Sequence, residues 1–133
     1  MKKYLLVWLT MCLLFLAGCT EKPQVKQVKA DYFDIGLGQE LFEARENVHQ
    51  KTIQSLVDAY NQIEYTGQTD EPLDNDQSIF INFIHNDQFS GHIQIDKTGK
   101  FTLGVADETY EIDRESDFYD KALVVYQEVK KQY

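Results

Sequence analysis

The sequence predicts an α+β fold: a four-stranded antiparallel meander with two amphipathic helices packed on it. Two patterns predict it. Apolar and polar residues alternate through most of the region from Ile79 to Ile112. On either side, apolar residues recur at helical spacing.

Taken in chain order, Ala30 to Ile35 is a candidate first strand carrying Tyr32, Phe33 and Ile35, which Gly36 and Gly38 break. Leu41 to Arg45 is ambiguous between the two periods. A helix is expected from Asn47, where Asn47 and Gln50 suit a capping box. Its apolar face would hold Ile53, Leu56, Val57, Tyr60 and Ile63, and Gly67 would close the region. An acidic loop follows over 70–76. The four strands then carry Ile79, Ile81 and Phe83; Gly91, Ile93 and Ile95; Phe101, Leu103 and Val105; and Tyr110 and Ile112.

The turns are tested by one-sidedness. A three-residue loop at Asn86 to Gln88 sets Phe83 opposite Gly91. A second at Lys97 to Gly99, with Gly99 in a left-handed bulge position, sets Ile95 opposite Phe101 and Ile93 opposite Leu103. An even count near Ala106 to Thr109 would match Val105 with Tyr110. The last helix starts near Ser116, with Ser116 or Asp117 as cap. Its stripe is Tyr119, Ala122, Leu123, Tyr126 and Val129, and Lys130 and Lys131 sit at its negative end.

The first residues read as a targeting segment. Lys2 and Lys3 precede an apolar stretch from Tyr4 to Phe15 that only Thr10 interrupts. Such a stretch is shorter than the ~20 residues a membrane helix needs, and the pattern is that of a secretory signal. Leu16-Ala17-Gly18-Cys19 resembles the lipobox of bacterial lipoproteins. The resemblance covers the first 19 residues only. It implies a diacylglyceryl group on the Cys19 thiol and cleavage between Gly18 and Cys19. Two acyl chains would anchor the protein stably. The expected organisation is a signal peptide over 1–18, a lipidated cysteine and tether over 19–29, and a single domain over 30–133. The location that follows is the outer face of the cell membrane. The Lys-, Gln- and Asn-rich composition looks like that of low-GC Gram-positive bacteria.

Charge narrows the function classes. The chain carries 22 acidic and 13 basic residues, a net charge of −9, and losing Lys2 and Lys3 makes the remainder more acidic. Nucleic acid binding needs basic patches, so it is not expected. An anionic membrane surface would repel the domain, which should stand away from it. The chain has two cysteines, Cys12 in the signal segment and Cys19 under lipid. The domain itself is left without disulfide, thiol nucleophile or cysteine ligand.

Little in the domain points to catalysis. His49, His85 and His92 share no ligand motif and read as exposed structural residues, with His85 and His92 on opposite sheet faces. A zinc site needs three or four converging ligands. The group Asp70, Glu71, Asp74 and Asp76 lacks the alternating spacing and closing glutamate of a calcium loop. Ser90 reads as structural, and no nucleophile elbow or cofactor motif occurs. The expectation is therefore a non-enzymatic lipoprotein that binds another protein; immunity and surface-exclusion factors are examples of such modules. The alternative is a small-ligand or cation binder using the acidic loop at 70–76. Candidate contact residues are the tyrosine stripe of Tyr119, Tyr126 and Tyr133, and an outward sheet face with Phe80 and Ile84 among Asn82, His92, Gln94, Thr102 and Glu111.

Overall fold

The computed structural model describes residues 23–104, 108–113 and 115–133. Strands β1 (Tyr32–Leu37) and β2 (Glu40–Ala44) form a hairpin, and helix α1 (Gln50–Asn61) and strand β3 (Tyr65–Thr69) follow. A short 3-10 turn (Asn75–Gln77) leads into β4 (Ile79–His85), β5 (Gln88–Ile95), β6 (Lys100–Thr102), β7 (Thr109–Ile112) and helix α2 (Phe118–Lys130). The seven strands make one sheet in the order β2-β1-β4-β5-β6-β7-β3. Every neighbouring pair is antiparallel. The four expected strands are its interior; β1 and β2 extend it on one side and β3 on the other.

The core lies on one face. Phe33, Ile35, Ile79, Ile81, Phe83, Ile93, Ile95 and Phe101 are all fully buried there. Both helices cover them. α1 contributes Ile53, Leu56, Val57 and Tyr60, and the Tyr60 ring packs on Phe83 at 4.9 Å and meets Phe118 edge-on at 6.3 Å. The buried side of α2 is Phe118, Ala122, Val125, Tyr126 and Val129. The expected stripe is thus rotated: Tyr119 and Leu123 are only half-buried, and Phe118 and Val125 take their places.

Several local expectations are corrected. The capping box is not made. α1 starts at Gln50 with His49 in the cap position and no side-chain cap, and the Asn47 Oδ1 is buried without a partner. Asp117 occupies the cap position of α2 without bonding through its side chain; the Phe118 N–H instead donates to Ser116 Oγ at 3.4 Å. Phe83 does oppose Gly91, but not through a three-residue loop. The β4–β5 turn is Asn86 and Asp87, both left-handed at φ 53° and 57°, and a bulge at Ser90 restores the parity. The expected Ile95–Phe101 pair forms. Tyr110 pairs with Phe101 rather than Val105, and β6 ends before Leu103. Val105 to Asp107 lie outside the described residues.

The segment expected as a tether is part of the fold over its described residues. Val25 and Val28 are buried. Asn61 clamps Val28, its Oδ1 accepting the Val28 N–H at 2.8 Å and its Nδ2 donating to the Val28 carbonyl at 3.0 Å. Gly91 gives room beneath: a Cβ there would collide with the Val28 side chain. Spaced valines in a polar stretch carry little periodic signal, yet they find a groove beside α1. The segment therefore lies on the core side of the sheet, not on its outer face.

Candidate functional site

Among the described residues, neither helix nor the 23–30 segment covers the outer face of the sheet. The register sets its side chains in three rows. Leu41, Gly36, Phe80 and Gln94 form the first, crossing from β2 to β5. Glu43, Asp34, Asn82 and His92 form the second. Tyr32, Ile84 and Phe89 form the third. A polar row thus lies between two rows rich in apolar side chains.

The first row is shaped by Gly36. A Cβ there would collide with the Glu40 carbonyl oxygen and the Phe80 ring, so the glycine lets the ring approach β1 closely. Leu41 is 55% exposed beside it, and Phe89 in the third row is 68% exposed. At the corner, the Arg45 guanidinium sits 4.5 Å from the centre of the Tyr32 ring and 3.5 Å from Asp87 Oδ1. The Tyr32 hydroxyl donates to the same carboxylate oxygen at 3.3 Å.

The polar row is uneven. At one end His92 Nδ1 meets Asn82 Oδ1 at 2.6 Å, and burial lowers the His92 pKa. At the other end Asp34 and Glu43 are direct cross-strand partners. Burial first, and then the Glu43 charge, push the Asp34 carboxyl up. The Asp34 side chain has no hydrogen bond or counter-ion among the described residues. Like charges directly opposite on a sheet are destabilising.

The other predicted candidates are used internally. The Tyr126 hydroxyl donates to Glu40, which also receives Lys130 Nζ at 2.8 Å. The Tyr133 ring stacks on Phe42 with centroids 5.1 Å apart, and its hydroxyl donates to the Glu43 carbonyl at 2.8 Å. The Tyr119 hydroxyl donates to the Gln77 carbonyl at 3.0 Å. The tyrosine stripe therefore ties α2 to β2 and the 3-10 turn. His85 faces Asp31 at 3.2 Å, at the end of β4 three residues beyond Asn82, and His92 is half-buried rather than exposed. In the acidic loop, Asp74 Oδ1 accepts the Asp76 N–H at 3.2 Å, and the Asp74 N–H donates to Asp96. Among the described residues no group of three His, Asp or Glu side chains is placed to hold a metal ion. A groove of about 470 Å³ also runs along the helices, lined by the apolar Leu56, Val124 and Val125 and by charged residues of both signs, among them Lys51, Lys121, Asp117 and Glu128.

Residues 16–19, which carry the lipobox resemblance, lie outside the described residues. Among the described residues no helix is long and apolar enough to cross a membrane. Comparison with protein-family models, curated proteins and solved structures finds no match to this chain.

Proposed function

We propose that the chain is a lipid-anchored, non-enzymatic domain at the outer face of the cell membrane, where it binds another protein. The observation that carries the binding reading is the uncovered sheet face, with Leu41, Phe80, Ile84 and Phe89 around a polar row. Apolar area of this kind at the surface of a small domain marks an interaction site. An open sheet offers area to a macromolecule, whereas small substrates are usually enclosed in concave clefts. The anchor reading rests on Leu16-Ala17-Gly18-Cys19 and the apolar run before it.

Cys19→Ser tests the anchor. The wild-type protein should fractionate with membranes and carry the mass of a diacylglyceryl group on Cys19. The variant should appear in the medium or remain as an uncleaved precursor. A variant with the same location and processing as wild type would remove the anchor. Crosslinking of the lipidated protein in cells, followed by mass spectrometry, tests partner binding. One dominant protein above the Cys19→Ser control is the expected result, and none above background would refute the binding role.

A further inference from the structure

The reading as a protein-binding domain leaves open what it recognises, and the inference here rests on that reading. We propose that the outer sheet face docks a protein segment that presents a lysine or arginine flanked by apolar side chains, with Asp34 and Glu43 receiving the cation.

Three observations converge on this chemistry. The two carboxylates stand directly opposite each other across β1 and β2, an arrangement that costs stability unless a cation lies between them. The side chain of neither one has a hydrogen bond or ion pair among the described residues. Apolar side chains border them, Leu41 and Phe80 in one row and Tyr32 and Ile84 in the other, where Arg45 lies over the Tyr32 ring and is held by Asp87. A partner that covers those rows excludes water from the acidic pair, and the charge interaction strengthens as water leaves. The apolar rows then supply area and the carboxylates supply selectivity.

The same layout disfavours other occupants. In a two-fold dimer through this face the same patch meets itself, bringing four carboxylates together. An anionic lipid surface would meet the acidic row with like charge. The helical groove is lined by both basic and acidic residues and specifies no charge for a partner.

The test uses the full lipidated chain in cells, with a photoreactive phenylalanine analogue introduced singly at Leu41, at Thr102 or at Val124. The first two positions flank the sheet face and the third lies in the helical groove. Each is combined with the native acidic pair or with Asp34→Asn and Glu43→Gln together. The expected result is a heterologous crosslink from Leu41 and Thr102 that falls about tenfold or more in the double variant. The crosslinked peptide should contain a lysine or arginine beside apolar residues. The double variant should melt at the wild-type temperature or above it, because like-charge repulsion is gone. A lower melting temperature would overturn the repulsion premise. Crosslinks from Val124 alone would overturn this site while leaving the protein-binding reading intact. A crosslinked homodimer, or a sheet-face crosslink indifferent to the double variant, would overturn the charge-recognition claim. No crosslink from any position would overturn the proposal and the binding reading together.

Discussion

Asp96→Ala is the sharpest test of how the acidic side of this domain is built. Asp96 follows β5 and is fully buried. Its Oδ1 accepts the Thr98 N–H at 2.9 Å, the Thr98 hydroxyl at 2.6 Å and the Lys100 N–H at 3.1 Å. Its Oδ2 accepts the Asp74 N–H at 3.1 Å. The carboxylate therefore joins the β5–β6 turn to the acidic loop. Truncation strands three backbone donors. Bonds to a charged acceptor are worth about 1.5–3 kcal/mol each, but donors near the surface recover water, so about 1 kcal/mol apiece is the better figure. The expected loss is about 3 kcal/mol, a large part of the ~5–15 kcal/mol typical of a domain. Tm should fall by roughly 10 °C. Urea denaturation followed by circular dichroism measures this directly.

The acid limb gives a second check on the same residue. Burial alone would push the Asp96 carboxyl up, but its hydrogen bonds outweigh that and hold it below the usual carboxylate value. A lowered folded pKa means that the stabilisation is present above the unfolded value, about 3.9. It is lost as pH falls through the lower folded value. The gap between wild type and Asp96→Ala should thus be constant from pH 7 to about pH 5 and narrow below about pH 4. A loss under ~0.5 kcal/mol at neutral pH, the range of an ordinary surface change, would refute the reasoning. So would a gap that does not change with acid.

Further outcomes follow from other contacts. Asn61→Ala should cost about 1–2 kcal/mol by breaking the clamp on Val28, and hydrogen exchange at the Val28 N–H should accelerate more than exchange in β4. Gly36→Ala forces the Phe80 ring and the Glu40 carbonyl apart, and should cost about 1–3 kcal/mol in thermal denaturation. Burial raises the Tyr60 hydroxyl to about 12, so the folded state resists its ionisation. Stability should be intact below the unfolded value near 10 and decline as pH rises toward 12. Tyr60→Phe should make that alkaline decline shallower, and an unchanged slope would exclude Tyr60 as a source of it.

Much of the interior was legible because side-chain period is a local property. Alternation at Ile79, Ile81 and Phe83, and again at Ile93 and Ile95, can bury only one face of a strand. Ile53, Leu56, Val57 and Tyr60 likewise leave a helix one apolar side. Edge strands carry a weaker pattern. β2 reads Glu-Leu-Phe-Glu-Ala and β3 reads Tyr-Thr-Gly-Gln-Thr, and neither alternates cleanly, because an edge strand borrows its burial from neighbours. The Ser90 bulge was equally hidden, since a shortened turn and an extra strand residue cancel in any count of parity.

By itself, then, the sequence determined the α+β class, the interior strands, both helices, the acidity and the resemblance of its first residues to a lipobox. Tertiary structure alone decided which distant residues meet. Tyr126, Lys130 and Tyr133 became fasteners because β2 runs beside α2, and Val25 and Val28 became core because α1 and Gly91 leave them a groove. The candidate site belongs to the same class. Glu43, Asp34, Asn82 and His92 come from four segments and align only through three strand registers. A register is a relation between segments, set by the packing of the opposite, buried face, so no single stretch of sequence contains it.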